Sequence, residues 1–160
     1  AFSWDSSIAK ILRMQGKNFD KFAIENKKNE LIAKAKLLHC DASNKISISQ
    51  FKNKYPVVLS IFCPESATNS KKVWMQYMTN ISNLVEDNGI FIIAALRNCK
   101  SYSIGEKIFP SANINEFDLQ NFLSINYVNI DIEVKNVFDC QHQGFNSIVL
   151  AKAVKNNKIS

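Results

Sequence analysis

Two apolar runs separated by a helical pattern constrain the fold of this chain more than any other feature. The first run is Val-Val-Leu-Ser-Ile-Phe at 57–62, and the second is Gly-Ile-Phe-Ile-Ile-Ala-Ala-Leu at 89–96. Between them, residues 70–85 repeat apolar side chains near a 3.6-residue period, which predicts a helix. Apolar runs without alternation are typical of parallel strands covered on both faces. Ligands bind at the carboxyl ends of such strands, so we expect function at 62–68 and 97–105.

The other patterns predict a mixed α/β order. Predicted helices cover 5–14, 20–34, 70–85 and 116–123, the last capped by Asn115, and predicted strands cover 36–40, 56–62, 89–96, 127–138 and 145–154. The short connection at 139–144 favours an antiparallel pairing of the last two strands, at one edge of an otherwise parallel sheet. Residues 97–113 form a long irregular stretch, which we expect to be an ordered lid or pocket wall.

Size and composition suit one domain. The chain has 160 residues, of which 46% are hydrophobic, so a full core can form. No apolar run reaches the roughly 18 residues that span a bilayer, and no signal-peptide pattern is present, so we expect no membrane association. The chain begins Ala-Phe-Ser-Trp rather than with Met. We therefore expect that a longer N-terminal part precedes it.

Charge and cysteine usage narrow the classes of function. The net charge is +6, yet only Arg13 and Arg97 among the 20 basic residues are arginine. Recognition of bases and phosphates favours the forked guanidinium, so we predict no nucleic-acid partner. The four cysteines form no CxxC pair and none lies at a zinc-like spacing from a histidine. We predict no metal site, and a reduced, cytoplasmic location.

Five short segments carry a resemblance to a known family. They are Phe-Ser-Trp-Asp at 2–5, Cys-Asp at 40–41, Leu-Ser-Ile-Phe-Cys-Pro-Glu-Ser-Ala at 59–67, the run at 89–96, and Ser-Tyr-Ser-Ile-Gly-Glu at 101–106. Their order and spacing resemble class I S-adenosylmethionine-dependent methyltransferases. The similar branch includes nicotinamide, phenylethanolamine and indolethylamine N-methyltransferases, with bacterial relatives that act on small amines or guanidines.

This resemblance spans residues 2–154 and implies both fold and activity. The implied fold is a Rossmann-like sheet, parallel with an antiparallel C-terminal hairpin. The implied cofactor is S-adenosyl-L-methionine, and the implied substrate is a small-molecule methyl acceptor. Nicotinamide-type members carry an acid near the position of Ala94, so the alanine here argues against nicotinamide itself.

The family's glycine-rich turn and its acidic residues after the first strand are missing. The chain has four glycines, at 16, 89, 105 and 144, and no two are close. A glycine-rich turn is needed because the cofactor presses against the backbone. We therefore interpret 1–154 as the C-terminal portion of one methyltransferase domain that apparently lacks its first strands, followed by a polar tail at 155–160.

Three other interpretations remain open. The chain could be a catalytically inactive methyltransferase-like module with a binding or regulatory role. It could be an unrelated doubly wound domain that binds a nucleotide, in which case the last two strands need not pair antiparallel. Methyl transfer to RNA is disfavoured by the scarcity of arginine.

The resemblance implies a set of cofactor-binding residues. Asp41 would accept a hydrogen bond from the adenine amine, and the Ala42 backbone N–H would face a ring nitrogen. Ser60, Ile61 and Phe62 would hold the methionine end through backbone carbonyls, with the Phe62 ring lining the methyl path. From the residues alone, an Asx turn or helix cap is the alternative for Asp41, and Phe62 is equally a core residue.

The acceptor site is predicted from the loops. By resemblance Tyr102 lines the pocket, where an aromatic face stabilises a cationic amine, although loop packing is the alternative. Glu65 could attract a cationic substrate or cap the following helix. Asn98 and Ser111 are weaker candidates.

The loop at 139–142 could also reach the acceptor. It contains Asp139, Gln141 and His142, and His142 is a candidate proton acceptor. No catalytic residue is obligatory, because the sulfonium already carries an excellent leaving group.

Overall fold

The computed structural model describes residues 4–44, 54–138 and 144–157. It divides into two compact units, Ala1–His39 and Cys40–Ser160. The sheet and the predicted site residues all belong to the second unit.

The first unit contains two helices with the predicted bounds. Helix α1 covers Asp5–Met14 and helix α2 covers Lys21–Lys34. The Asp20 carboxylate caps α2 by accepting the Ala23 backbone N–H at 2.8 Å, as expected of an N-cap residue. The predicted strand at 36–40 is wrong, because those residues have no regular structure and Leu37 is 99% exposed. An apolar run forms a stable strand only beside a partner, and none pairs with it among the described residues.

A four-stranded mixed sheet organises the second unit. Strands β1 (Tyr55–Ile61) and β2 (Val85–Leu96) pair in parallel. The final strand, β6 (Ser147–Lys155), lies between β2 and β5 (Tyr127–Asn136) and is antiparallel to both. The predicted antiparallel pairing of the last two strands is therefore confirmed.

Two helices cover one face of this sheet. Helix α3 covers Lys71–Ser82 and helix α4 covers Glu116–Leu123. Both carry buried apolar side chains that join the sheet residues in one hydrophobic core: Trp74, Met78, Leu119, Phe122 and Leu123. Because apolar side chains recur along one stripe of each helix, that stripe faces the sheet.

Helix α3 is shorter than its apolar pattern predicts. The predicted helix runs to Val85, whereas α3 ends at Ser82 and β2 begins at Val85. The register of β1 on β2 jumps between Tyr55↔Val85 and Val57↔Ile90. The turn expected at 87–89 is thus an irregularity inside β2, where Asn88 adopts a positive φ of 62°.

The stretch at 97–113 is ordered and is not irregular. It contains strands β3 (Ser101–Ile104) and β4 (Lys107–Pro110), which form an antiparallel hairpin. Further backbone hydrogen bonds join the two sides of its base, including Ser111 N–H to the Lys100 carbonyl and Asn98 N–H to the Ile114 carbonyl. We call residues 97–114 the hairpin arm.

The second face of the sheet is exposed along β1. Val58 and Ser60 are buried, while Leu59 between them is 58% exposed and Val57 and Ile61 are also exposed. The expectation that this strand is covered on both faces is therefore wrong for the structure described. Its apolar run has a buried side and an exposed apolar side. Among the described residues, no helix has the length and apolarity that crossing a membrane requires.

Candidate functional site

The carboxyl end of β1 holds three of the predicted cofactor-binding residues. Ser60 and Ile61 end the strand, and the Phe62 N–H donates to the Ala94 carbonyl of β2 at 2.8 Å. Phe62 has a φ of 49°, which is rare for a bulky side chain, and it is 41% exposed. Strained backbone of this kind is concentrated at binding sites. The chain therefore presents an aromatic ring at the edge where ligands of parallel strands bind.

A cavity of about 320 Å³ opens on the exposed face beside these residues. Its apolar wall includes Ile61, Ala94 and Leu150, and its polar rim includes Asp131 and Lys152. Ser60 points to the other face, where its hydroxyl is buried without a hydrogen-bond partner among the described residues. Ile61 thus belongs to an open surface, whereas the Ser60 side chain belongs to the core.

Glu65 is buried rather than presented to solvent. It lies in a short 3-10 helix, Glu65–Ala67, and is 1% exposed. One carboxylate oxygen accepts the Leu96 N–H at 3.1 Å, and its backbone carbonyl accepts the Ala112 N–H at 2.9 Å. Burial raises the pKa of the Glu65 carboxyl above its ordinary value, against the opposing effect of the hydrogen bonds. Glu65 therefore joins the end of β2 to the base of the hairpin arm.

Tyr102 strengthens the same junction. Its hydroxyl donates to the Ser66 carbonyl at 3.2 Å, and its ring stacks on Phe109 with centroids 5.5 Å apart. These contacts match the packing role considered for Tyr102, and they hold the arm against the 3-10 helix. The helix-capping role considered for Glu65 falls instead to Ser70, whose hydroxyl accepts the Val73 N–H at the start of α3.

The two thiols near this junction are held protonated. Burial raises the pKa of Cys63, and the nearby Glu65 raises it further. Burial also raises the pKa of Cys99, whose thiol donates to the Ser101 carbonyl at 3.2 Å. The Ser111 side chain is buried at the same base of the arm. Neither thiol has the lowered pKa that marks a nucleophilic cysteine.

Asp41 and Ala42 lie in a turn. The Asp41 carboxylate accepts the Ser43 N–H at 2.9 Å, which is the Asx-turn arrangement, and its carbonyl accepts the Asn44 N–H. The Ala42 carbonyl accepts the Asn80 side-chain amide of α3 at 3.0 Å. This turn does not follow a strand, contrary to expectation. The Asn80 side chain fixes this turn to α3 through the Ala42 and Ser43 carbonyls.

A second cavity, of about 400 Å³, lies where β2 ends and β6 begins. It is lined by Arg97, Asn98, Gly144, Phe145 and Asn146. Of these, only Asn98 is predicted from sequence. Arg97 could have been singled out as one of only two arginines, whereas Gly144, Phe145 and Asn146 carry no local signal. Asp139, Gln141 and His142 lie outside the described residues. Within the described ranges, no cluster of His, Cys, Asp and Glu side chains could hold a metal ion.

Comparison with known families identifies the family to which this fold belongs. A model of the family described as NNMT/PNMT/TEMT matches residues 1–155. The chain belongs to the NNMT/PNMT/TEMT family. The members of this family are S-adenosylmethionine-dependent methyltransferases, so the resemblance carried by the five segments is confirmed. A direct sequence search of curated proteins finds no match.

Solved structures agree on the fold. An S-adenosylmethionine-dependent methyltransferase from Clostridium acetobutylicum ATCC 824 is 11% identical with a TM-score of 0.52, over 86% of this chain and 73% of that one. An O-methyltransferase family protein from Burkholderia thailandensis is 8% identical with a TM-score of 0.53, over 94% of this chain but 47% of its own length. At such identities the likeness shows the methyltransferase fold alone.

Proposed function

We propose that residues 1–154 are the C-terminal portion of a methyltransferase domain that transfers a methyl group from S-adenosylmethionine to a nitrogen of a small amine-like or guanidine-like molecule. The family match over 1–155 carries this proposal. The mixed sheet supports it, because β1 and β2 end together at the edge where Phe62 is exposed. The tail at 155–160 has no part in the proposed site.

The residues present fit one end of the cofactor better than the other. The strained turn at Phe62 and the open cavity beside Ile61 suit the methionine end and the methyl path. Asp41 and Ala42 would contact the adenine. No described segment supplies a glycine-rich turn. We therefore propose that a further polypeptide segment forms the rest of the cofactor-binding surface.

The bound cofactor supplies a methyl group on a sulfonium that is already activated. The protein's own task is to align the acceptor nitrogen and to exclude water, and orientation of this kind is worth roughly 7–11 kcal/mol of the barrier. In our proposal, Phe62 and Tyr102 form aromatic walls around the acceptor. Glu65, Asn98 and Ser111 shape its surroundings. A protonated acceptor must lose its proton before attack, and His142 is the candidate that receives it.

The alternative is an inactive methyltransferase-like binding or regulatory module. The missing glycine-rich turn favours it, because a chain without that turn has less to hold the cofactor. In either case we propose a small-molecule partner, in the cytoplasm, with no role in binding nucleic acid or membranes. The scarcity of arginine argues against nucleic-acid binding, and the shortness of the apolar runs argues against a membrane span.

Calorimetry with S-adenosylhomocysteine tests the proposal. Titrations compare this chain with a version extended upstream in its gene. We expect weak or absent binding by this chain and clear binding by the extended form. The variant Phe62→Leu should weaken binding by the extended form, while the matched variant Phe117→Leu, at an exposed position of α4, should not. If neither form binds S-adenosylhomocysteine, the methyltransferase proposal is wrong and the inactive-module alternative remains.

A further inference from the structure

The cavity between the ends of β2 and β6 has the size and chemistry of a ligand site. Its volume of about 400 Å³ falls within the roughly 300–1,000 Å³ range of small-molecule pockets. It lies after Leu96, the last residue of β2, and before Ser147, the first residue of β6. The carboxyl end of β2 is the region where ligands of such sheets bind.

Arg97 gives this cavity a fixed positive group. Its Nε and Nη2 donate to the two carboxylate oxygens of Glu116 at 2.6 and 2.8 Å, and its backbone N–H donates to the Ser147 carbonyl at 3.0 Å. Donation of these hydrogen bonds to the Glu116 carboxylate raises the pKa of Arg97, so the guanidinium stays charged. Two of the five guanidinium N–H donors bond Glu116, so among the described residues three remain without a partner, two on Nη1 and one on Nη2.

Two carboxamides add donors to the same wall. The Asn146 side-chain oxygen accepts the Ser147 hydroxyl at 3.2 Å, which leaves its NH₂ group to donate elsewhere. Asn98 has a positive φ of 52°, and its N–H is bound to the Ile114 carbonyl, so its backbone is held in place. Asn98 and Asn146 therefore both line the cavity, one directly after β2 and one directly before β6.

Gly144 packs this wall against the hairpin arm. It has a φ of +94°, and a Cβ built there would lie 2.2 Å from the Ser101 carbonyl oxygen. Only glycine permits this approach. The cavity wall is thus built on close backbone packing rather than on a loosely placed loop.

The described lining is rich in donors and contains no carboxylate. Glu116 is paired with the Arg97 guanidinium but does not line the cavity. Phe145 contributes an aromatic surface beside the donors. Such a lining suits a flat molecule with an anionic oxygen group, because an ionised acceptor forms the stronger hydrogen bonds with guanidinium and amide donors. None of the described lining residues carries an anionic side chain that would pair with a cationic head.

We propose that this cavity binds the carboxylate group of the acceptor, so that the methylated nitrogen belongs to a molecule that also carries a carboxylate. The inference that the ligand is the methyl acceptor rests on the proposed function. The inference that the cavity selects carboxylates over amidines does not, since it follows from the lining alone. In this proposal, the contact between the cavity and the acceptor's carboxylate orients an amine acceptor, so that no acidic residue is needed at position 94.

Titrations with three flat probes of similar size test the site on this chain. They are 4-aminobenzoate, its neutral counterpart 4-aminobenzamide, and the cation benzamidine. We expect 4-aminobenzoate to bind at least about tenfold more tightly than either counterpart, as a charge-assisted hydrogen bond implies. In ¹H–¹⁵N spectra, its largest shifts should fall on the Arg97 Nε–H and on the amides of Asn98 and Asn146.

Two matched variants sharpen the result. Asn146→Leu removes a donor at nearly constant volume and should weaken 4-aminobenzoate binding several-fold. Asn121→Leu makes the same chemical change at an exposed position of α4 and should have no effect. Tighter binding of benzamidine, equal binding of all three probes, or shifts confined to other residues would each overturn the proposal. The wild-type spectra decide the matter even if Asn146→Leu fails to fold.

Failure of this inference can be separated from failure of the proposed function. If the extended chain binds S-adenosylhomocysteine but no probe preference appears, the carboxylate site is wrong and the methyltransferase stands. If 4-aminobenzoate binds here while neither form binds S-adenosylhomocysteine, the cavity stands and its ligand is not a methyl acceptor.

Discussion

Glu65 is a buried acid whose carboxylate accepts the Leu96 N–H and whose backbone carbonyl accepts the Ala112 N–H at the base of the hairpin arm. Its position directly after the apolar strand correctly indicates the carboxyl edge of the sheet. The sequence cannot reveal that the carboxylate turns inward to the Leu96 N–H, since that partner is 31 positions away and is brought close only by the β1–β2 pairing. A glutamate that attracts a substrate and a glutamate that anchors the backbone look the same in the sequence. Only the burial of Glu65 in the structure distinguishes the two roles.

Burial of Glu65 predicts a pH effect on stability. Because its pKa is raised in the folded state from 4.5, the folded state binds the proton more tightly than the unfolded state. Stability from this group is therefore complete below pH 4.5 and is lost as the pH rises through the folded pKa. Glu65→Gln keeps an oxygen for Leu96 and does not ionise. We expect urea unfolding to show the variant gaining stability relative to the wild type between pH 4 and pH 7.

The control for that measurement is Glu106→Gln, at an exposed residue of the β3–β4 turn. Its difference from the wild type should not follow the same trend. A Glu65→Gln difference that stays constant over this range would contradict a buried carboxyl whose pKa is raised.

Glu116 is expected to respond to pH in the opposite direction. Its ion pair with Arg97 lowers its pKa to about 2, so its contribution is complete above the ordinary value of 4.5 and is lost as the pH falls toward 2. Both side chains remain partly exposed, which limits the pair to about 1 kcal/mol. Glu116→Gln should lose about that much stability at pH 7, and chemical unfolding should show the loss disappearing near pH 2. A loss of equal size at both pH values would exclude the ion pair as its cause.

At the scale of elements, helices with local signals are predicted well. The bounds of α1 and α4 match their sequence patterns, and Asn115 caps α4 as predicted. These helices are predictable because the cap residue and the apolar stripe lie within one short segment of the sequence. Strands depend on distant partners. The apolar run at 36–40 therefore forms no strand, and the stretch at 97–113 forms a hairpin that its composition does not suggest.

The capping box of α4 should be measurable. The Asn115 side chain accepts the Phe117 and Asp118 N–H groups, and the Asp118 carboxylate accepts the Asn115 N–H. Asn115→Ala leaves the Phe117 and Asp118 N–H groups without their side-chain acceptor and should cost about 1 kcal/mol of unfolding free energy. Asn121→Ala within the same helix is the control, and since alanine favours helices it should cost nothing. Equal effects of the two variants in urea titrations would show that the cap is not stabilising.

The packing of the hairpin arm should depend on Gly144. Gly144→Ala combines a left-handed backbone with a Cβ placed 2.2 Å from the Ser101 carbonyl. Gly105→Ala, in the β3–β4 turn, also has a positive φ, of +59°, but has open space around it. The second variant should lose about 1 kcal/mol from backbone strain alone. Gly144→Ala should lose clearly more, because its φ of +94° lies outside the left-handed region and its Cβ would meet the Ser101 carbonyl, and thermal unfolding of the two variants measures the difference.

At the scale of the whole molecule, the sheet has one covered and one exposed face. The class of fold and the antiparallel end of the sheet follow from the order of the patterns and from the resemblance. The exposed face does not follow, because an unalternating apolar run is the same whether its second side is covered by this chain or by another segment. Sequence shows which residues are apolar, while coverage depends on what packs over them.

Substitutions on the two sides of β1 should therefore differ sharply in how much they lower the free energy of unfolding. Val58 is 9% exposed within the core and Leu59 is 58% exposed. Val58→Ala opens a cavity under α3 and α4 and should cost roughly 1–3 kcal/mol, whereas Leu59→Ser should cost less than about 0.5 kcal/mol in this chain. In the upstream-extended form, where we propose that a further segment completes the domain, Leu59→Ser should become destabilising by more than 1 kcal/mol, since it would remove buried apolar surface. Chemical unfolding of both variants in both forms makes the comparison. A Leu59→Ser cost that is equally small in both forms would mean that the added segment leaves this face open, and the completed cofactor cradle would then have to be sought along the free edge of β1 rather than over the sheet.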